Sequence, residues 1–219
     1  MNNNLSIKEN NIAILLCAGK SERVNDFDKS IISLNNKPIF FYSLEKFIYS
    51  KKFKKIVVVS SKDNNEFIKN YLRNIGLKNI DIIIGSTERK YSVKNALTYI
   101  SKYNPENVII HDSARPFFNK DIVFNGLKFL DNYACAIPVI KIVDTVKKIN
   151  ADKVLSTIER DNLYYSQTPQ FFNYDKLKNL VLGQIDNKSY TDEAQLFEEN
   201  NIEVAKIDGN LSNHKITFK

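Results

Sequence analysis

Residues 12–19 read Ile12-Ala13-Ile14-Leu15-Leu16-Cys17-Ala18-Gly19. Six apolar residues run without polar alternation and then break into a small-residue turn. A strand wet on one face alternates polar and apolar side chains, whereas a strand covered on both faces does not. The stretch therefore predicts a central parallel strand with layers above and below it. Working outward, residues 56–59, 80–84, 108–111 and 134–139 repeat the short, β-branched pattern. Amphipathic segments separate them at residues 38–49, 63–74, 92–103 and 120–130. The first of these starts with Pro38 at a first-turn position and sets Phe40, Phe41, Leu44, Phe47 and Ile48 on one face. Alternation of this kind predicts an α/β fold, a Rossmann-like, mostly parallel sheet with helices on both faces. Neither a repeat nor a low-complexity linker divides residues 1–219, so a single domain is expected.

Beyond residue 140 the rhythm changes. Residues 142–149 and 154–158 alternate, and Asn150-Ala151-Asp152 between them is turn-prone. This predicts an inserted β-hairpin, usable as a dimerisation arm or as an ordinary sheet edge. Thr191 is placed to cap a helix over residues 192–199. Asn213-His214-Lys215 falls in a run that reads as strand.

Composition is that of an ordinary globular chain, with 43% hydrophobic and 26% charged residues. Lys and Arg number 32 against 25 acidic residues, a net charge of +7. A basic balance suits a phosphorylated partner, nucleic acid or an anionic surface. The Lys-Lys pairs at 51–52, 54–55 and 147–148 lie on separate elements rather than on one stripe, which disfavours a non-enzymatic nucleic-acid-binding module. Cys17 and Cys135 are the only cysteines, and neither stands in metal-ligand spacing with His111 or His214. Residues 1–10 lack the apolar core of a signal peptide, and the run 12–18 is too short to cross a bilayer. The reading is a cytoplasmic protein with no membrane partner.

Ligands of open α/β sheets bind at the carboxyl ends of the strands. Three segments lie there: residues 18–29, 85–92 and 111–116. Gly19-Lys20-Ser21 fails as a P-loop, because Ile14 stands where that motif needs glycine. A looser phosphate-binding turn survives, since small residues after a strand expose backbone N–H groups, and Arg23 and Lys29 add positive charge. Asp112 at a strand end beside a polyphosphate is a candidate Mg²⁺ ligand, or a plain cap of the next segment. His111 and Asp112, as strand neighbours, point to opposite faces and make no catalytic dyad. Gly85 and Ser86 suit a tight turn against a flat base, or an ordinary β–α loop.

Together these pieces resemble one family. Ala18-Gly19-x-x-x-Arg23 with Lys29, Gly85-x-x-x-Arg89-x-x-Ser92, His111-Asp112-Ser113-Ala114-Arg115-Pro116, Asp144-Thr145-Val146-Lys147, Arg160-Asp161-Asn162, Gln167-Thr168-Pro169-Gln170-Phe171-Phe172, Thr191-Asp192-Glu193-Ala194 and Lys215 stand in the order and spacing of 2-C-methyl-D-erythritol 4-phosphate cytidylyltransferases. The resemblance covers about residues 11–217. It implies transfer of CMP from CTP to methylerythritol phosphate with release of pyrophosphate, by in-line attack and with no covalent enzyme intermediate. It assigns Ala18 and Gly19 to the triphosphate turn, and Arg23, Lys29 and Lys215 to charge stabilisation. Asp112 would hold Mg²⁺. Gly85, Ser86 and Ser92, with Ser113, would hold the nucleotide. Thr145 and Arg160 would grip the acceptor phosphate, with Arg115 helping from a neighbouring subunit. The hairpin becomes the arm of a homodimer with shared sites. Ribitol 5-phosphate, or another sugar-alcohol phosphate, is the rival acceptor.

The chain also departs from the family's pattern. Ser21 replaces a second glycine, Glu22 a basic residue, Asp28 a proline, and Ser212 an aspartate. Glu22 and Asp28 would put negative charge near a triphosphate, and both are expected to face solvent. The sequence given stops at Phe218-Lys219, where relatives continue. Some relatives are fused to a cyclodiphosphate synthase, which suggests a truncated chain or the separated half of such a fusion.

Overall fold

A computed structural model describes residues 10–18, 28–184 and 190–217. Strand β1 (Asn11–Cys17) has all seven residues buried. A 3₁₀ turn (Lys29–Ile31) and a small hairpin of β2 (Ser33–Leu34) and β3 (Lys37–Pro38) lead into α1 (Ile39–Ser50). There follow β4 (Lys55–Ser60), α2 (Asn65–Asn74), β5 (Ile80–Ile84), α3 (Arg89–Ile100), β6 (Asn107–Asp112), α4 (Asp121–Phe129) and β7 (Cys135–Lys141). The chain continues through β8 (Val146–Asn150), β9 (Lys153–Ile158), β10 (Tyr164–Ser166), β11 (Gln170–Asn173), α5 (Tyr174–Gln184), α6 (Ala194–Glu199) and β12 (Val204–Asp208).

Strand β1 lies between β4 and β6, parallel to both, with Ile14 opposite Val57 on one side and Ile110 on the other. The main sheet runs β10-β7-β11-β6-β1-β4-β5, with β12 also paired to β7. Strand β11 is antiparallel to both β6 and β7. The two-residue period of β1 sorts its side chains between two cores. Ile12, Ile14 and Leu16 pack with Val93, Leu97, Leu177 and Phe197, from α3, α5 and α6. Ala13, Leu15 and Cys17 pack with Phe40, Leu44, Ile68 and Val123, from α1, α2 and α4. Helices on both faces are thus why β1 is apolar from Ile12 to Cys17. Helix α4 comes so close to β11 that a Cβ on Gly126 would lie 2.3 Å from the Phe171 ring.

The expected α/β architecture is present, with several differences in detail. The first hairpin strand starts at Val146 rather than at residue 142; residues 142–145 lie outside the β8–β9 ladder, and the Ile142 amide donates to the Leu163 carbonyl at 3.1 Å. Helix α6 starts at Ala194, and Thr191 does not cap it. The Asp192 carboxylate instead accepts from the Gln195 amide at 3.3 Å. Residues 213–217 form irregular chain, not a strand. Among the described residues no helix is long and apolar enough to cross a membrane.

Candidate active site

The carboxyl ends of β1 and β6 and the turn after β5 open onto one cleft. Its walls include Ala18, Lys29, Arg89, Ser92, Asp112 and Lys215. Of the expected site residues, Ala18, Lys29, Ser92, Ser113, Asp112 and Lys215 therefore come together there. Gly85 closes the same corner, since a Cβ on it would stand 2.7 Å from Ser92 Oγ and 2.8 Å from Ala18 Cβ. Ser92 Oγ accepts from the Ser86 amide at 2.8 Å, which fixes the turn after β5. Gly19 and Arg23 lie outside the described residues. Thr145 is exposed at the base of the hairpin. Arg160 is also exposed there and donates to the Val143 carbonyl. Neither is among the residues that line the cleft of its own chain.

Arg115, expected to help at a neighbouring subunit's site, is also engaged within its own chain. Its guanidinium turns into its own chain, donating to the carbonyls of Asn213 at 2.9 Å and Ser166 at 3.4 Å. It anchors the segment that carries Lys215. A further hydrogen bond, from the Ile216 amide to the Ala114 carbonyl at 2.8 Å, brings that segment back over the end of β6. A distant lysine thus reaches the cleft without any strand to carry it.

Asp28 also departs from expectation, because its carboxylate does not face solvent. It accepts from the Ser30 amide at 2.9 Å, from Ser30 Oγ at 2.5 Å and from Ser61 Oγ at 3.3 Å.

The cleft holds a line of alternating charge. Lys215 Nζ lies 2.8 Å from Asp112 Oδ2, Arg89 Nε 3.5 Å from Asp112 Oδ1, and Arg89 Nη1 2.5 Å from Glu193 Oε1. Burial alone would raise the Asp112 carboxyl, but Arg89 and Lys215 hold it well below the usual carboxylate range. Glu193 is fully buried, and there burial wins over the pull of Arg89 and pushes its carboxyl up. Arg89 and Glu193 were given no role from sequence. Arg89 carried a signal, because a basic residue in the first turn of a helix opposes the helix dipole and must be held by something else.

His111 lies in the core on the far side of its strand, edge-on to the rings of Phe47 and Phe118. The Arg115 carbonyl, 3.1 Å from Nε2, can only accept, which assigns the proton to Nε2. Nδ1 then accepts from the Thr168 hydroxyl at 2.9 Å, and Thr168 Oγ1 accepts from the Asp112 amide at 3.2 Å. The buried imidazole therefore fixes the backbone that presents Asp112. Burial pushes its pKa down to about 3, against about 6.5 in an unfolded chain. The unfolded state thus binds one more proton between those values. This stability is complete above pH ~6.5 and is lost as pH falls, by about 1.4 kcal/mol per unit. Urea midpoints measured from pH 6.5 down to 4.5 should show this slope, and His111→Gln should flatten it. An unchanged slope in the variant would place the acid sensitivity elsewhere.

Among the described residues no three His, Cys, Asp or Glu side chains cluster to hold a metal ion. Two carboxylates line the cleft: Asp112, with both oxygens already facing cationic groups, and Asp28, with both oxygens accepting from Ser30, Ser61 and Asn64. Mg²⁺ is commonly held by one or two carboxylates plus substrate phosphates and water. The residues present therefore fit Mg²⁺ with a polyphosphate in place, and they do not fit a cage built from protein alone.

Sequence comparison agrees with this geometry. The family described as "IspD: 2-C-methyl-D-erythritol 4-phosphate cytidylyltransferase" matches residues 11–219. The chain belongs to this family. It is 35% identical over 216 residues to a 2-C-methyl-D-erythritol 4-phosphate cytidylyltransferase of Clostridium botulinum, covering 94% of this chain and 92% of that one. It is 39% identical over 213 residues to the bifunctional IspD/IspF enzyme of Pelagibacter ubique, where it covers 95% of itself but 55% of the relative. The crystal structure of the 4-diphosphocytidyl-2C-methyl-D-erythritol synthase from Anaerococcus prevotii superposes with a TM-score of 0.82 at 29% identity, over 95% of this chain and 93% of that one. The bifunctional IspDF of Campylobacter jejuni gives a TM-score of 0.78 at 28% identity, over 95% and 52%. The chain thus spans about half the length of the bifunctional relatives and nearly all of the single-function ones.

Proposed function

We propose that the chain transfers CMP from CTP to 2-C-methyl-D-erythritol 4-phosphate and releases pyrophosphate, acting in the cytoplasm. One observation carries this reading. Lys29, Asp112 and Lys215, separated by up to 186 residues, line one cleft with the small-residue corner of Ala18, Gly85 and Ser92. An acceptor phosphate oxygen attacks the α-phosphorus of CTP, the bond to the β-phosphate bridge oxygen breaks, and pyrophosphate leaves. Charge accumulates on the non-bridging oxygens, and prepositioned cations stabilise it. Lys215 gives up Asp112 for the α-phosphate, while Arg89 keeps the carboxylate oriented. Lys29 faces the β/γ end and follows the departing pyrophosphate. Asp112 would hold Mg²⁺, which would neutralise phosphate charge. The Gly85–Ser86 turn, with Ser92 and Ser113, leaves room for a pyrimidine beside the strand ends.

The acceptor pocket is completed by a second subunit. Thr145 and Arg160 stand outside their own chain's cleft, next to a hairpin on which the paired Ile149 and Val154 are 61% and 63% exposed and Leu155 is 55% exposed. An exposed cross-strand apolar pair on a projecting hairpin suits a surface that another chain covers. Lys29→Ala and Arg160→Ala proteins, each strongly impaired alone, should therefore regain activity when unfolded together and refolded, because a mixed dimer holds one intact site. Absence of recovery would mean that each site is built from one chain. Pyrophosphate release with each acceptor tests the substrate, and turnover with ribitol 5-phosphate alone would overturn the assignment.

A further inference from the structure

Lysine is a point charge on a flexible stem, so where its backbone is held decides where its ammonium can act. Lys29 opens a three-residue 3₁₀ turn, too short to hold its own position. The turn is held by the residue before it. Asp28 caps it with φ −74° and ψ 111°, and its Oδ1 accepts from both the amide and the hydroxyl of Ser30. Its other oxygen accepts from Ser61 Oγ and from Asn64 Nδ2. Asn64 is fully buried, donates to the Cys17 carbonyl at 2.8 Å and accepts from the Ser61 amide at 2.8 Å. One carboxylate thus ties the turn to the last residue of β1 and to the loop after β4.

We propose that Asp28 is a positioning residue that clamps the Lys29 turn to the carboxyl edge of the sheet, so that Lys29 meets the triphosphate at a fixed point. The proposal rests on the reading that Lys29 contacts CTP. Its four donors come from Ser30, Ser61 and Asn64, so the carboxylate is occupied and its charge is spread into the loop network. Loss of the clamp shifts the stem's anchor, and misplacement by about 1 Å can cost on the order of 10²-fold in rate. The competing view is that Asp28 is an electrostatic burden whose removal would tighten CTP binding.

The test is a double-mutant cycle at Asp28 and Lys29, with kcat, KM for CTP and the thermal midpoint measured for each protein. Asp28→Ala should lower kcat at least ~10-fold without lowering KM for CTP. Asp28→Asn keeps the acceptor facing Ser30 and should fall between it and the parent. In a Lys29→Ala background, Asp28→Ala should add less than ~2-fold, because the residue it positions is already gone. A lower KM for CTP with unchanged kcat, or independent effects that multiply, would overturn the proposal. Normal turnover in Lys29→Ala would instead overturn the reading of the cleft. If Asp28→Ala does not fold, Asp28→Asn is judged by the same criteria.

Discussion

Asp112→Ala is expected to lower turnover by about 10² to 10³-fold, the range seen when one group that stabilises developing charge is lost. Its carboxylate faces Lys215 at 2.8 Å and Arg89 at 3.5 Å. Without it the two cations confront each other across the cleft, and the carboxylate that would hold a divalent ion is gone. Lys215 then has no partner to hold it in place before the substrate arrives. The fold should survive, because the strand is held by its ladder and by the Thr168–His111 bonds. Steady-state pyrophosphate release checks the rate, and circular dichroism checks the fold. Turnover within ~10-fold of the parent would remove Asp112 from the machinery.

Glu193→Ala is expected to cost about 3 kcal/mol of stability. Glu193 has no exposed surface, and its partner Arg89 keeps 30% of its side chain exposed toward the cleft. Removing the acid takes the closer of two carboxylates from a largely buried guanidinium and empties a fully buried position. At ~2–4 °C per kcal/mol for a chain of this size, the melting midpoint should drop by about 6–12 °C. Glu193→Gln keeps the volume and an acceptor for Arg89, so its loss should be about half as large. Thermal melts settle the point, and a midpoint unchanged in both variants would show that Arg89 does not depend on Glu193.

The sheet was legible because physics leaves few options for a run such as residues 12–17. A strand with no polar position must be covered on both faces, and each neighbouring run obeys the same rule. The cleft was legible for a related reason, since small residues and charges were concentrated just past those runs. The remainder was decided by long-range contacts. Strand β10 is three residues long, Tyr164-Tyr165-Ser166, and only its pairing with β7 makes it a strand. Strand β11 runs antiparallel between β6 and β7, which no local pattern announces. Glu193 sits where an acidic residue would in any case suit a helix start, so its burial against Arg89 left no trace in sequence. Asp28 reads as a stray negative charge, because two of its four donors come from a loop over 30 residues away.

The attachment of Lys215 by Arg115 and by the Ala114–Ile216 bond has a consequence for biosynthesis. A ribosome has made every strand of the main sheet before this lysine emerges, and strand β12, the last partner of β7, is also a late arrival among them. Nascent chains can assemble most of the sheet but cannot hold a triphosphate productively. On the proposed reaction, catalytic competence therefore begins only once translation has passed Lys215.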